Sequence, residues 1–386
     1  MHWTAEQLEI RTLAREFAEG ELRPHTARWD EARALDDGVF ASLAELGFLG
    51  MLVPEEYGGL AFDVGTYLLV LEELARGDAS VALSVAIHNG PVAGMVAAHG
   101  TDEQKAAWLP KLASGEALGA FALSEADAGS DPGAMTTRGT SDGAGWVLEG
   151  QKRWVTNGAR AGLVVVVART DDDQGTGAFL VDPAAGGYAT HGRESTMGLR
   201  ASETLSVTFD GTPAELLGVE GKGLSYALSA LDTGRVGIAA QAVGIAGAAM
   251  EHATRYALER EQFGRALADF GAIQVKLAEM LRRILGARAL AHDAGHALQA
   301  MGSGGHPRTG ADGLTARAAV AKLAASEAAT WVADEAVQIF GGYGYMRDYP
   351  VEKLLRDAKG TEIYEGTNEI MRHVIAREVL RDARAD

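Results

Sequence analysis

The chain has no cysteine. That excludes disulfides, thiolate-bound metals, iron–sulfur clusters and cysteine nucleophiles, so redox chemistry here requires a bound organic cofactor. Positive charge is also scarce: 35 Lys and Arg against 53 Asp and Glu leave a formal charge of −18. Such a surface repels a phosphate backbone and an anionic bilayer, which argues against nucleic acid and membrane as partners. A few local donors in a deep site can still hold a phosphorylated small molecule, because the distant field is screened. Long apolar runs are missing as well. Tracts such as Leu163–Ala168 fall far below the roughly 20 residues of a membrane span. The opening MHWTAEQLEIRTLAREF is charged at once and lacks the apolar core of a secretory signal. A cytoplasmic enzyme is the expectation. No P-loop occurs, and no complete G-x-G-x-x-G lies between a strand and a helix, so a nicotinamide site of the Rossmann kind is poorly supported.

What is present divides the 386 residues into three parts. Residues 1–117 read as an N-terminal helical bundle. Ile10, Leu13, Ala14, Phe17 and Ala18 follow one helix face, Thr4 with Gln7 forms a capping box, and Pro24 marks the exit. Further helices are expected over 37–46, 63–76, 79–98 and 102–113, and the nearly uncharged Ser84–Ala98 should be buried on most sides. Residues 118–222 change period. Short runs at Trp146–Glu149, Leu163–Ala168, Ala178–Val181 and Thr204–Phe209 alternate with turn clusters at Asp142–Gly143, Asp171–Gly177 and Gly186–Gly187. Without helix-length crossovers, this predicts an antiparallel β-barrel or sandwich. Residues 223–386 return to helical spacing and predict an up-and-down four-helix bundle. One face is Ile273, Leu277, Met280, Leu281, Ile284 and Leu285; another is Val320, Leu323, Ala324, Ala328 and Trp331. Gly302–Gly313 reads as a glycine-rich loop, and Gly341–Gly344 as a helix break. The fold class is therefore α+β and multidomain.

Two short motifs lead nowhere. Gly139-Thr140-Ser141-Asp142-Gly143 matches a nucleophile elbow in letters, but it precedes a strand where that motif needs a helix, so it reads as a turn. His292 and His296 are spaced like a metal pair, yet the glutamate of H-E-x-x-H is absent and no third ligand is indicated. They read as a solvated helix end. No metal site is expected.

Longer motifs carry more. Ala122-Leu123-Ser124-Glu125-Ala126-Asp127-Ala128-Gly129-Ser130-Asp131-Pro132-Gly133-Ala134 is one block. Gln338 through Gly341-Gly342-Tyr343-Gly344-Tyr345, then Asp348, Lys353 and Asp357, is a second. Trp154-Val155-Thr156-Asn157, Met197-Gly198-Leu199-Arg200, Leu231-Asp232-Thr233-Gly234-Arg235 and Tyr364-Glu365-Gly366-Thr367 follow in order. In these blocks and their separations, essentially the whole chain resembles the acyl-CoA dehydrogenases, above all their short- and medium-chain, butyryl-CoA-type members.

The resemblance implies oxidation of an acyl-CoA thioester to trans-2-enoyl-CoA, as in fatty-acid β-oxidation, by a noncovalent FAD. It implies electron-transfer flavoprotein as acceptor and a homotetramer built as a dimer of dimers. Phe121, Leu123, Ser124, Gly129 and Ser130 would wrap the flavin, with Ser130 also near substrate. Trp154 and Thr156 would flank its ring, and Thr367 and Glu369 would complete its phosphate and ribose contacts. Arg260, Phe263, Gln338, Gly341 and Gly342 would reach the cofactor of a neighbouring subunit. Asp232 and Arg235 would line the coenzyme A channel, and Tyr364 and Gly366 would flank the substrate beside Glu365, the expected catalytic base. Two positions depart from the family's habit: Gly271 replaces a cofactor-facing glutamine, and Gly360 a bulky aliphatic residue.

The chemistry explains the choice of base. A thioester α-proton is far too weakly acidic for a carboxylate of pKa about 4.3. Apolar surroundings must raise the glutamate, and donors must stabilise the developing oxyanion. Glu369, one helical turn on, is the rival carboxylate and is expected to stay ionised. The alternatives the sequence leaves open are a branched short-chain dehydrogenase, an acyl-CoA oxidase or flavin monooxygenase on the same fold, and a noncatalytic flavoprotein scaffold.

Overall fold

A computed structural model describes residues 3–141, 143, 145–170, 175–302 and 310–385. Asp142 and Asp171–Gln174 of the expected turns, and most of the expected Gly302–Gly313 loop, lie outside those residues.

The N-terminal part is helical as expected. α1 (Ala5–Phe17) begins with the Thr4–Gln7 capping box, both reciprocal hydrogen bonds being made. α2 (Thr26–Ala32) was not expected, because Pro24 reads as a stop; the chain restarts within two residues and buries Trp29. Then come α3 (Asp37–Glu45), α4 (Val64–Gly77), α5 (Ala79–Ile87), α6 (Gly94–His99) and α7 (Asp102–Ser114). Ala14, Phe17 and Ala18 of the first face are buried, but Leu13 is exposed beside Leu8. From Ala79 to His99 the helical run is 21 residues and apolar enough by length and composition to cross a membrane, contrary to the run-length reading. A wider turn at His88–Ala93 accommodates Pro91 within it, and most of the run is packed inside the protein.

Seven strands form the middle layer: β1 (Leu118–Ala122), β2 (Arg138–Ser141), β3 (Trp146–Val155), β4 (Ala161–Thr170), β5 (Thr176–Val181), β6 (Tyr188–Arg193) and β7 (Leu205–Leu217). Pairings β4–β2–β3–β7–β5–β4 close into a ring, while β1 and β6 extend along β4 and β7. The expected antiparallel barrel is present in the pairings β2–β3, β3–β7, β4–β5, β5–β7 and β6–β7, with two parallel exceptions: β1 and β2 both run parallel to β4. Strand-length periodicity does not reveal a neighbour's direction, so these two pairings were not expected. Leu148, Val164, Val166, Phe179, Val207 and Phe209 fill the ring's interior.

Three long helices follow, α8 (Gly223–Glu259), α9 (Gly271–Gly302) and α10 (Leu314–Phe340), then α11 (Val351–Thr361) and α12 (Asn368–Ala385). Met280 and Ile284 of the α9 face are buried, whereas Leu281 and Leu285 stand exposed. On α10 the larger side chains of the expected face, Val320, Leu323 and Trp331, are only half-buried. The stripe that packs inward is Ala318, Ala321, Ala325, Ala329, Ala333 and Ala336, small residues that let helices approach closely. His292 is buried within α9 with Trp3 edge-on against its ring, and burial lowers its pKa to about 4. The solvated-end reading is therefore wrong for His292, while His296 is exposed.

A buried charge cluster ties the three layers together. Lys353 of α11 donates to Asp357 at 2.6 Å and to Asp78, the N-cap of α5, at 3.2 Å. Asp78 also accepts from Thr26, and Asp357 accepts from the backbone N–H of Leu199 at 2.6 Å. Replacing the lysine strands two buried carboxylates, and removing one partner from such a cluster typically costs about 3–5 kcal/mol. Lys353→Met should lower the denaturant midpoint accordingly, whereas Lys359→Met, at an exposed pair with Glu362, should change it by less than about 1 kcal/mol.

Candidate active site

Where the three layers meet lies a cavity of about 1030 Å³. Of the residues singled out in sequence, Phe121, Leu123, Ser124, Gly129, Ser130, Trp154, Thr156, Asp232, Arg235, Tyr364, Glu365, Gly366 and Thr367 all line it. Leu83 and Ile87 of α5 close one wall.

The β-side wall is built by one lysine and one glutamate. Lys152 of β3 is fully buried and donates to the Leu123 carbonyl at 2.8 Å and to Glu125 at 2.9 Å. Glu125 also accepts from the N–H groups of Thr136 and Thr137 at 2.7 and 2.9 Å. Burial works against its charge, but these donors hold its pKa at about 2; desolvation brings Lys152 down to about 8. The clamp fixes Leu123–Thr137 against β3, which carries Trp154 and leads directly into Thr156. Trp154 is not a buried strand aromatic: it is 49% exposed and its φ is 57°. A non-glycine residue held in left-handed backbone, showing half an indole to a cavity, marks a surface shaped for a partner. Asn157 anchors the end of the strand by donating to the carbonyls of Ser84 and Gly119 at 3.2 and 3.0 Å.

The α-side wall holds the carboxylate. Glu365 sits in the turn between α11 and α12 with φ 56°, followed by Gly366 at φ 94°. Its side chain lies over α8 where that helix has no side chain: a Cβ on Gly234 would stand 2.5 Å from Oε2. Oε2 is shut from solvent and accepts no hydrogen bond. Burial raises the carboxyl to about 7, against the opposing pull of Arg235 and Lys322. Arg235 is itself engaged, donating to Asp232 at 2.7 Å and to the Glu365 carbonyl at 3.3 Å. Thr315 donates to the other Asp232 oxygen at 2.7 Å. Glu369 is the opposite case: it is exposed, does not line the cavity, and has its pKa lowered, mainly by the backbone N–H groups at the start of α12 and the Thr367 hydroxyl. One turn of chain thus separates a carboxyl that can exchange a proton near neutrality from one that cannot.

Arg260, Phe263, Gln338, Gly341 and Gly342 do not line the cavity. Arg260 lies over the Tyr343 ring at 5.6 Å, Phe263 is 93% exposed with φ 53°, and Gly341 caps α10 on the carbonyl of Gln338. Gly271 opens α9 with nothing against it, while a side chain on Gly360 would press on Leu199 and Tyr364 at 2.9 and 3.1 Å. That glycine therefore serves packing. Sequence reasoning missed Gly234 as the room for Glu365, and it missed Lys322 and Gln241. Lys322 donates to the Gly366 carbonyl at 2.7 Å; Gln241 accepts from Tyr364 at 2.8 Å and donates to the Ala79 carbonyl at 2.7 Å. The only signals were a glycine inside a helix and single polar letters in alanine-rich stretches. Among the described residues no group of acidic or histidine side chains is arranged to hold a metal. The donors and surfaces present fit a flat dinucleotide: a presented indole, the Thr156 hydroxyl, a clamped glycine–serine loop and an unpaired carboxyl opposite.

Comparison with known proteins agrees along the full length. The N-terminal, middle and C-terminal domain models of acyl-CoA dehydrogenase match residues 4–116, 120–212 and 221–380. An acyl-CoA dehydrogenase of Bacillus subtilis is 41% identical, with 98% of this chain and 99% of that one covered. A short-chain-specific acyl-CoA dehydrogenase of Clostridium acetobutylicum is 40% identical, with coverage of 98% and 99%. The structure of butyryl-CoA dehydrogenase from Megasphaera elsdenii superposes with a TM-score of 0.94 at 38% identity, covering 99% of this chain and all of that one. With an unpaired buried carboxyl oxygen and a half-exposed indole lining one cavity, and domain matches spanning nearly the whole chain, this protein belongs to the acyl-CoA dehydrogenase family.

Proposed function

We propose that the chain is an FAD-dependent dehydrogenase of short-chain acyl-CoA thioesters, with Glu365 taking the α-proton. The observation that carries this reading is the Glu365 carboxyl, buried, unpaired at Oε2 and raised to about 7 at the cavity shared with Trp154 and Thr156. When bound, noncovalent FAD supplies the acceptor for the β-hydride. Everything else is the chain's own work.

Glu365 begins deprotonated above its raised pKa and is a stronger base than a solvated carboxylate. Its unpaired oxygen loses no hydrogen bond when it accepts a proton, so protonation there is favoured over a solvated site. Substrate filling the slot would remove the remaining water and raise the carboxyl further. Ser130, Asp232 and Arg235 line the path expected for the coenzyme A moiety; Arg235 keeps a cationic edge there, its charge partly offset by Asp232. Leu83, Ile87 and the Tyr364 ring surround the acyl end. Tyr364 is tethered through Gln241 to α5, so a long tail would have to break buried hydrogen bonds to pass. That tether and the short-chain and butyryl-CoA relatives favour a short acyl group. Electrons then pass to an electron-transferring flavoprotein. The exposed apolar side chains Val275, Leu281 and Leu285 on α9, with Phe263 and Tyr345 beyond it, favour a homotetramer in which Arg260, Phe263 and Gln338–Gly342 meet a neighbour's cofactor.

Anaerobic titration with acyl-CoAs of increasing length and branching, followed by loss of flavin absorbance, tests the reading; four-carbon thioesters should bleach the flavin most completely, and no bleaching by any of them would refute it. Glu365→Gln should retain FAD and bind substrate while turnover falls by at least about 10²–10⁴-fold, the usual share of a general base. Because the base must be ionised, kcat/KM should rise with pH through about 7 and level off above it; a profile already flat from pH about 5 would remove Glu365 from the role. Gly234→Ala places a methyl against the carboxylate and should lower kcat more than it lowers the melting temperature or FAD content.

A further inference from the structure

The turn that carries the base is held in an unfavourable backbone. Glu365 and Gly366 are both left-handed, which glycine adopts freely and glutamate does not, so the surroundings must fix it. Two cations from two helices grip the carbonyls of these two residues. Arg235 of α8 takes the Glu365 carbonyl at 3.3 Å, and Lys322 of α10 takes the Gly366 carbonyl at 2.7 Å. Lys322 also donates to Asn368 Oδ1 at 3.0 Å, an oxygen that accepts from Ser326 at 3.0 Å, while the Asn368 N–H returns to the Glu362 carbonyl at 2.9 Å. Every partner of the ammonium is thus a neutral carbonyl oxygen. Among the described residues Lys322 has no carboxylate within ion-pair distance, although its side chain is fully buried.

A neutral donor would satisfy those carbonyls at a smaller desolvation cost. The positive charge therefore has a second use, and its surroundings show where. The charged and titratable groups around Glu365 are Arg235 and Asp232 from α8, Tyr67 from α4, the adjoining Tyr364, and Lys322 from α10; Glu362 and Glu369 act on Lys322 from the other side. Arg235 is the larger pull on the Glu365 carboxyl and is partly offset by its pair with Asp232; Lys322 is the second, and it carries no compensating ion pair among the described residues.

We propose that Lys322 is a positioning residue for Glu365, pinning the left-handed turn through the Gly366 carbonyl and keeping the buried carboxyl ionisable near neutral pH through its charge. This rests on Glu365 being the base.

The test uses FAD-loaded Lys322→Gln, Lys322→Met and Lys322→Arg proteins. The Glu365 carboxyl is titrated by infrared difference against Glu365→Gln, and kcat/KM for butyryl-CoA is followed with pH. Gln keeps a donor without charge, so it should fold even if Met does not, and it should move the Glu365 midpoint upward by about one pH unit, the scale of losing one nearby opposite charge. That is a roughly tenfold loss of ionised base on the acid side, and Arg should restore it. Met should lower kcat further than Gln, because the Gly366 carbonyl also loses its donor. Coincident Glu365 midpoints in wild type and Lys322→Gln, or identical midpoints in Lys322→Arg and Lys322→Gln, overturn the proposal. A wild-type protein that no acyl-CoA reduces overturns the dehydrogenase reading instead, and the infrared titration still decides what Lys322 does.

Discussion

The withdrawal of one carboxyl group from water organises this protein. Glu365 can lie where it does only because α8 lacks a side chain at Gly234, because the turn accepts left-handed backbone at two successive residues, and because neighbouring helices supply cations that do not form an ion pair with it. Each condition alone has a cost in folding. Together they leave a carboxyl whose pKa is raised to about 7, beside a cavity also lined by residues of another domain.

That wall is held by the same logic in a different layer. Lys152 and Lys322 are fully buried, and Lys353 nearly so. Lys152 fixes the loop and strand facing the cavity, Lys322 holds the turn that carries Glu365, and Lys353 joins α11 to α5 and, through Asp357, to Leu199 on the cavity's rim. In a chain of net charge −18, three of its few lysines sit inside, at segments that shape the site. Buried charges are weak sources of stability but strong sources of geometric specificity when each donor finds its acceptor. Three of the eight described non-glycine residues in left-handed backbone, Trp154, Leu199 and Glu365, line the cavity.

Much of this was legible beforehand. The three-part division rests on the switch from helical spacing to short runs and back, a one-dimensional signal that burial imposes directly. Thr4–Gln7 capping is local and was read correctly. Parallel pairing of β1 and β2 with β4 was not legible, because alternation along a strand is blind to its neighbour's direction. α2 was missed because a proline stop says nothing about a restart. On α10 periodicity selects the face of Val320, Leu323 and Trp331, which is only half-buried, since large side chains outweigh alanines in any periodicity count, although alanines are what close helix packing selects.

For the site, long motifs were sufficient to name Glu365, Trp154, Thr156, Asp232 and Arg235, because those residues sit in distinctive strings. Gly234, Lys322 and Gln241 sit in alanine- and glycine-rich helices where nothing local sets them apart. The order of residues therefore determined the three domains, the cofactor class and which glutamate stands in the signature. Only the tertiary structure decided that this glutamate is the one with a raised pKa while Glu369, four residues on, is held ionised, because desolvation depends on what helices 130 and more residues away bring alongside, and no window of sequence contains that distance.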